Sequence, residues 1–294
     1  MTMSSIKGVI TAMATPFAED GSLDVAAARK LARHLVEHGS HGVVVAGTTG
    51  EGPTLNDDEK LELLGATLEE IGDEATVICG TGSNDTRHTC ELTSAASNAG
   101  AHAVLVVAPY YNRPTPAGIK AHFAEASGAA GETPVVLYNI PSRCAINMPP
   151  ELMAELAAEN ANIVAVKQAN NDEMGLIDGL DVFAGNDDIY RQCLEMGGTG
   201  GILVASHLVG NEMRAIYDAI EAGEIEKSKK IENDLKHTYK ALAVTPPATA
   251  VKAGLKMMGV LEHDTMRLPM VSASDEERGV IRAELERRGV LSAS

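Results

Sequence analysis

The sequence is poor in cysteine and in large aromatic side chains. It has no tryptophan and three phenylalanines, so its six tyrosines carry more weight than usual. Its four cysteines never occur in CxxC spacing, and no ligand histidines accompany them. Isolated thiols of this kind are typical of a reducing cytoplasmic environment rather than of a disulfide framework or a zinc site. We therefore expect a cytoplasmic protein.

Positive charge is also scarce. Lys and Arg number 24 against 41 Asp and Glu, which gives a net charge of −17. Such an acidic surface argues against nucleic acid or an anionic membrane as the main partner. The longest apolar runs are far too short to span a bilayer, and residues 1–11 lack the apolar segment of a signal peptide. We expect small-molecule partners, and an anionic substrate would need a local cationic pocket.

One pattern recurs along most of the chain: a short β-branched apolar run, a polar or glycine-rich turn, and an amphipathic helix. Eight such strand–helix units occupy about 225 residues. Parallel strands need long, usually helical, crossovers, so this pattern predicts an α/β fold, a closed (β/α)8 TIM barrel. A doubly wound open sheet is the alternative, but no GxGxxG motif opens the first helix. The predicted strands are residues 8–12, 42–46, 76–79, 103–108, 134–138, 163–166, 181–184 and 201–205.

The last part of the chain has a different pattern. From about residue 224 it contains helical segments only, at residues 225–242, 249–258 and 274–288. We therefore divide the chain into a catalytic barrel, residues 1–223, and a small C-terminal helical region, residues 224–294. The helical region is expected to pack on the barrel or on a neighbouring subunit.

The sixth predicted strand ends abruptly in Lys167. Lysine is almost never fully buried unless another group pairs with it or a reaction uses it. Lys167 could extend its ammonium group into water, its stem lying on apolar surface. Alternatively, desolvation lowers its pKa and it acts as an amine nucleophile on a carbonyl. The remaining strand ends decide between these interpretations.

Hydroxyl and cationic side chains follow several strands at their carboxyl ends, where barrel active sites lie. Each has a structural explanation by itself: a tight turn, a packed tyrosine or a surface cation. Together with a lysine they provide an amine nucleophile, proton carriers and an anion clamp. HxH and HExxH motifs and carboxylate clusters at strand ends are missing, so we expect imine chemistry without a metal or a cofactor. These residues are Thr48, Thr49, Tyr110, Tyr111, Tyr138 and Arg143.

Several ordered motifs resemble the dihydrodipicolinate synthase / N-acetylneuraminate lyase family of class I pyruvate aldolases. The resemblance runs almost end to end and is specific for the family. The motifs are Gly47-Thr48-Thr49-Gly50-Glu51, Tyr110-Tyr111-Asn112-Arg113-Pro114, Tyr138-Asn139-Ile140-Pro141-Ser142-Arg143, the strand-end Lys167 and Arg267-Leu268-Pro269-Met270.

The resemblance implies the roles of four catalytic residues. Lys167 forms the Schiff base with the ketone of pyruvate, and Tyr138 is the general acid and base. Thr49 and Tyr111 complete its proton relay. In this family the tyrosine at the Tyr111 position reaches into the neighbouring subunit's site. The resemblance therefore also implies a homotetramer, built as a dimer of dimers.

The resemblance further implies the substrate-binding residues. Thr48, with adjacent backbone N–H groups, holds the carboxylate of pyruvate, and Gly185 and Ile202 line the pocket. Arg143 binds the carboxylate of the incoming aldehyde. A dianionic adduct needs such a cationic clamp, whereas a neutral polyol tail does not.

Thr48 and Arg143 also match one branch of the family. They are typical of members that condense pyruvate with L-aspartate 4-semialdehyde on the route to diaminopimelate and lysine, and we favour this activity. The first alternative is a sibling aldolase or dehydratase that acts on a 2-keto-3-deoxy sugar acid. The second is a keto-acid-binding protein without turnover. Gln168 and the segment Thr245-Pro246-Pro247 depart from the family pattern.

The lysine-feedback positions of the family are altered as well. Lysine-inhibited members carry histidines at the positions of Asp57 and Lys60 and a glutamate at that of His88. Here a lysine and a histidine would face the ammonium groups of the inhibitor. We therefore expect little or no inhibition by L-lysine.

Overall fold

Eight parallel strands form a closed barrel in the order of the chain, with β1 pairing with β8. The structure is a computed structural model that describes residues 6–292. Residues 1–5 and 293–294, at the ends of the two predicted regions, lie outside the described part. The strands are β1 (Gly8–Ala12), β2 (Gly42–Val45), β3 (Thr76–Gly80), β4 (Ala103–Val107), β5 (Val135–Asn139), β6 (Ile163–Gln168), β7 (Asp181–Ala184) and β8 (Gly200–Leu203).

The strands form because short runs of valine, isoleucine and leucine are buried on both faces, as parallel sheets require. Nearly every strand residue is buried. Glycine closes the barrel where backbones crowd: a Cβ atom on Gly200 would lie 2.2 Å from the carbonyl oxygen of Gly8. The predicted (β/α)8 barrel is confirmed.

Helices surround the barrel, and several begin at a residue whose side chain caps the first turn. Asp24 accepts a hydrogen bond from the N–H of Ala27, and Asn56 and Glu59 form a reciprocal capping box. The helices are α1 (Val25–Glu37), α2 (Asp57–Ile71), α3 (Thr86–Asn98), α4 (Pro116–Ala130), α5 (Pro141–Cys144), α6 (Pro150–Glu159), α7 (Tyr190–Glu195), α8 (Ser206–Glu221), α9 (Ile225–Leu242), α10 (Pro247–Met257) and α11 (Asp275–Arg287).

The connection between β6 and β7 departs from the expected strand–helix repeat. Within the described residues it contains a 3-10 turn at Asn171–Glu173 and a single antiparallel bridge between Ile177 and Leu180, but no α-helix. Gly179 has a φ of 78°, a left-handed conformation that favours a turn. Twelve residues are enough for a parallel crossover without a helix.

The C-terminal helices pack against the barrel and against one another. α9 lies on α8, and α10 packs on α11 and α8. Their apolar faces are buried at Leu235, Val251 and Leu285. Within residues 6–292, none of the helices has the length and apolar character needed to cross a membrane.

Candidate active site

Lys167 lies at the carboxyl end of β6, between the neighbouring strands β5 and β7. It is 5% exposed, directly opposite Tyr138 of β5 and Phe183 of β7. Its Nζ atom is 4.4 Å from the centroid of the Tyr138 ring. Burial lowers the pKa of Lys167 to about 8; the charge of Asp187 opposes this shift, and the charge of Arg143 adds to it. The ammonium group is therefore poised to release its proton, as an amine nucleophile requires.

Asp187 is a charged residue near Lys167 that the sequence reasoning missed. Its carboxylate accepts hydrogen bonds from the N–H groups of Val204 and Ala205 at 2.9 and 3.1 Å. Burial raises the pKa of Asp187 to about 6, while these two hydrogen bonds and Lys167 lower it. It is an acidic residue just after β7, and this position at the reactive rim was the signal available in the sequence.

Tyr138 is buried beside Lys167, and burial raises the pKa of its phenol to about 12. A hydrogen bond with the side chain of Thr48 and the charge of Arg143 act in the opposite direction. The resemblance implied Thr49 as the relay partner of Tyr138. In the described residues the hydrogen-bonded threonine is Thr48, while the side chain of Thr49 is buried in the loop.

A cavity of about 620 Å³ opens beside Tyr138, a volume typical of small-molecule sites. Thr48, Tyr110 and Arg143 line it, so hydroxyl groups and a guanidinium group face the same space. Arg143 lies on the short helix α5 directly after β5 and is exposed. The same cavity extends along α2 and α3 to Lys60 and His88.

Tyr111 lies apart from this group within a single chain. It is 86% exposed, and its backbone has a φ of 72°, which is uncommon for a residue with a side chain. The side chain therefore points into solvent, although its neighbour Tyr110 lines the cavity. Its position in the isolated chain leaves Tyr138 without the second tyrosine that the resemblance implied.

Gly185 and Ile202 lie at or near the ends of β7 and β8, and neither of them contributes a side chain to the cavity. The N–H of Gly185 donates to the carbonyl of Gln168 at 2.7 Å, and a Cβ atom there would lie 2.7 Å from that of Ala169. Ile202 is fully buried in β8. Among the described residues, neither of them lines the 620 Å³ cavity.

Gln168 is buried behind the site, in a network of amide side chains. Its Oε1 atom accepts hydrogen bonds from the amide of Asn139 at 3.0 Å and the backbone N–H of Asn170 at 3.1 Å. Asn139 directly follows Tyr138, and Gln168 directly follows Lys167. The network therefore fixes the ends of the two strands that carry the reactive groups.

Comparisons with known proteins agree with this geometry. The model of the dihydrodipicolinate synthetase family matches residues 5–288. The chain belongs to this family. A 4-hydroxy-tetrahydrodipicolinate synthase of Mycolicibacterium paratuberculosis is 43% identical over 96% of this chain and 95% of that protein. One from Moorella thermoacetica is 42% identical over 96% and 98%.

Solved structures of the family share the whole fold. The dihydrodipicolinate synthase of Cyanidioschyzon merolae, solved with lysine bound, superposes with a TM-score of 0.93. It is 34% identical, over 97% of this chain and 99% of that one. The predicted family and its class of activity, a class I aldolase-type lyase, are thereby confirmed. The relatives' names favour the synthase over the sugar-acid aldolase.

Proposed function

We propose that this chain condenses pyruvate, held as an enamine on Lys167, with L-aspartate 4-semialdehyde. The product is 4-hydroxy-tetrahydrodipicolinate, on the route to diaminopimelate and lysine. The observation that carries the proposal is the buried Lys167 with a pKa of about 8 against the Tyr138 ring. The names of relatives that are about 40% identical over nearly the whole chain support the choice of substrates.

The first step is the formation of an imine. The neutral amine of Lys167 attacks the ketone carbon of pyruvate, and the resulting alcohol leaves as water after it receives a proton. Tyr138 is suited to give this proton because its raised pKa keeps the phenol protonated at neutral pH. Loss of a proton from the methyl group then gives the enamine, which carries the new nucleophilic carbon.

The second step joins the two substrates. The enamine carbon attacks the aldehyde carbon, and the aldehyde oxygen takes a proton and becomes the 4-hydroxyl group. The amine of the second substrate then displaces Lys167 from the imine carbon, which closes the ring and frees the enzyme. Overall, one water leaves as the nitrogen of the second substrate replaces the ketone oxygen.

The two threonines of the glycine-rich loop, Thr48 and Thr49, take part in proton transfer and in pyruvate binding. The hydrogen bond between Thr48 and Tyr138 supports Thr48 as the first member of the proton relay, in place of Thr49. The pyruvate carboxylate is held by backbone N–H groups of the glycine-rich loop with a threonine hydroxyl. Gly185 and Ile202 shape the strand ends on the opposite side of Lys167.

Arg143 is the proposed clamp for the carboxylate of the aldehyde substrate. Its guanidinium is exposed at the cavity, and the chain as a whole carries a net charge of −17. A fixed guanidinium pairs with a carboxylate through two parallel hydrogen bonds. Such a clamp favours a charged aldehyde over a neutral sugar tail.

The proposed assembly is a homotetramer of two dimers, located in the cytoplasm. In one dimer contact, Tyr111 enters the neighbouring subunit's site and joins the relay of Tyr138 and Thr48. The 86% exposure of Tyr111 and its left-handed backbone support this contact. Two exposed apolar side chains that line one shallow groove, Leu176 and Met196, support the contact between dimers.

The proposed division of the chain keeps residues 1–223 as the catalytic barrel and residues 224–294 as the helical region. The packing of α9 on α8 supports a helical region attached to the barrel.

A substrate panel tests the activity. We expect turnover of pyruvate with L-aspartate 4-semialdehyde, measured through the formation of the cyclic product, and none with 2-keto-3-deoxygluconate. Turnover of the sugar acid without turnover of the semialdehyde would contradict the proposal. Tight pyruvate binding without turnover of either would indicate a binding protein.

A further inference from the structure

A buried ion pair connects the C-terminal helical region with the loop that carries Thr48 and Thr49. The Nζ atom of Lys252, in α10, lies 2.5 Å from Oε1 of Glu51, and these side chains are 1% and 2% exposed. The other carboxylate oxygen of Glu51 accepts a hydrogen bond from the backbone N–H of Arg267 at 3.0 Å. Lys252 also donates to the carbonyl of Thr265 at 2.8 Å. Both carboxylate oxygens of Glu51 are thus held by the C-terminal region.

Glu51 is directly joined to the backbone of the threonine loop. Its N–H donates to the carbonyl of Thr48 at 3.1 Å, and the N–H of Gly52 donates to Gly47 at 3.0 Å. Glu51 has a φ of 54°, a left-handed conformation that costs energy for a residue with a side chain. Such a conformation persists only when surrounding contacts fix it. The ion pair to Lys252 supplies such contacts at this position.

The ring of Phe17 and the guanidinium group of Arg267 pack around the ion pair of Glu51 and Lys252. Lys252 Nζ lies 4.2 Å from the centroid of the Phe17 ring, and the guanidinium carbon of Arg267 lies 4.3 Å from it. Arg267 also donates to the carbonyl of Thr54 and to the carboxylate of Glu59. Lys252 and Arg267 of the C-terminal helical region therefore hold one side of the threonine loop through hydrogen bonds and ion pairs.

A buried ion pair is a costly way to gain stability, because both charges must leave water. Apolar residues of similar size would often serve stability equally well. An ion pair of defined geometry, next to a strained loop that carries reactive hydroxyl groups, points instead to a role in positioning. A shift of about 1 Å in a catalytic group can reduce a rate by roughly a hundredfold.

We propose that Glu51 and Lys252 are positioning residues for the reaction at Lys167. Their ion pair fixes residues 47–52, and thereby holds the threonine hydroxyl groups and loop N–H groups in the geometry that binds pyruvate and passes protons to Tyr138. The C-terminal helical region is therefore part of the catalytic unit. This inference rests on the function proposed above.

The test compares two single variants, Lys252→Met and Glu51→Gln, with the double variant and a matched control. Each single variant removes one charge; Glu51→Gln keeps the side-chain length, and Lys252→Met shortens the chain by one atom. Lys256→Met is the control, because Lys256 lies one turn further along α10 and pairs with Asp264 at 2.9 Å, at 44% exposure. Steady-state rates are measured with each substrate varied, at a temperature where thermal melting shows the variants folded.

We expect the single variants to lower kcat/KM for pyruvate by about ten- to a hundredfold. KM for pyruvate rises more than KM for the semialdehyde, and the control stays within about twofold of wild type. The double variant leaves no buried charge unpaired, so it melts closer to wild type than the single variants do. It nevertheless keeps the raised KM for pyruvate. A double variant with a recovered melting temperature but a raised KM for pyruvate separates a positioning role from a simple loss of stability.

Wild-type kinetics in folded single or double variants would overturn the inference. If the single variants do not fold, the double variant decides the question; if it too fails to fold, a structural role is indicated and the inference is rejected. Borohydride trapping of pyruvate by the wild-type enzyme separates this inference from the proposed function. Without an adduct on wild-type Lys167 the proposed function fails, whereas equal trapping rates in wild type and variants overturn the positioning role alone.

Discussion

Two charges of opposite sign act on Lys167 in opposite directions. Burial and Arg143 lower its pKa to about 8, and Asp187 raises it. The nucleophile in imine formation is the neutral amine, whose fraction increases with pH and reaches one half at the pKa. Burial at the strand end thus increases the fraction of Lys167 that is a neutral, reactive amine. The carboxylate of Asp187 limits this increase, because it stabilises the ammonium form.

The pH dependence of imine formation tests this balance. We expect kcat/KM for pyruvate to fall about tenfold per unit below pH 8 and to level off above it. Asp187→Asn removes the charge that raises the pKa of Lys167, so the midpoint shifts to lower pH; Arg143→Gln shifts it to higher pH. Asp188→Asn, an exposed neighbour, serves as the control. Midpoints that do not move, or that move in the reverse directions, would disprove these electrostatic assignments.

The reactive residues could be predicted to different extents from sequence. The position of Lys167 at the rim of the barrel was predictable because a charged residue ends an apolar strand, and that of Tyr138 because it ends the neighbouring strand. Their catalytic roles, which the resemblance implied, stay predictions. Asp187 was missed because its position just after β7 was a weak signal: one acidic residue in a loop does not stand out in a chain rich in acidic residues. The hydrogen bond of Thr48 rather than Thr49 depends on how the glycine-rich loop turns, which residue types alone do not determine.

At the level of elements, the repeat of strands and helices was predicted well because its apolar periodicity is strong. The helix-free connection from β6 to β7 was not, since the expectation of eight identical units overrode local signals such as Gly175 and Gly179. The short helix α5, which carries Arg143, was not predicted either. Four residues are too few to show an apolar periodicity.

The beginnings of α2 and α3 carry the residues that bear on feedback by L-lysine. Asp57 is contacted by Lys60 at 3.2 Å and by His88 at 2.8 Å, and all three line the cavity. The carboxylate is thus already paired, and the ammonium group of Lys60 repels a cationic ligand. We expect millimolar L-lysine to lower the initial rate little or not at all.

An inhibition assay with L-lysine checks this expectation. The Cyanidioschyzon merolae protein, solved with lysine bound, is a suitable comparator in the same assay. An inhibition constant in the micromolar range for the present chain would contradict the expectation. The variant Lys60→His, which removes the permanent charge, shows whether that charge is responsible.

At the level of the whole molecule, the proposed proton relay is incomplete within a single chain. Tyr111 is 86% exposed and lies outside the cavity that Tyr138 and Thr48 share. Residue types and spacing alone could not show this, because whether a side chain completes its own site or another depends on how copies of the chain associate. Only the family resemblance implied that Tyr111 reaches the neighbouring subunit's site. The proposed dimer supplies the missing hydroxyl group.

Complementation between two impaired variants tests the shared site. Lys167→Ala lacks the nucleophile and Tyr111→Phe lacks the relay hydroxyl, so each is expected to have little activity alone. In a hybrid dimer, one site receives Lys167 from one subunit and Tyr111 from the other. Random coexpression should restore about a quarter of wild-type sites, because half the dimers are hybrids with one intact site each. If coexpression restores nothing, Tyr111 does not act across a subunit contact.

The most direct test of the proposed mechanism is to trap the imine at Lys167. The wild-type enzyme is incubated with pyruvate and sodium borohydride, and the site of the adduct is mapped by mass spectrometry of its peptides. We expect a single reduced pyruvate adduct on Lys167, with loss of activity in proportion to its amount. An adduct on another lysine, or continued turnover with Lys167 unmodified in every peptide, would contradict the proposed mechanism.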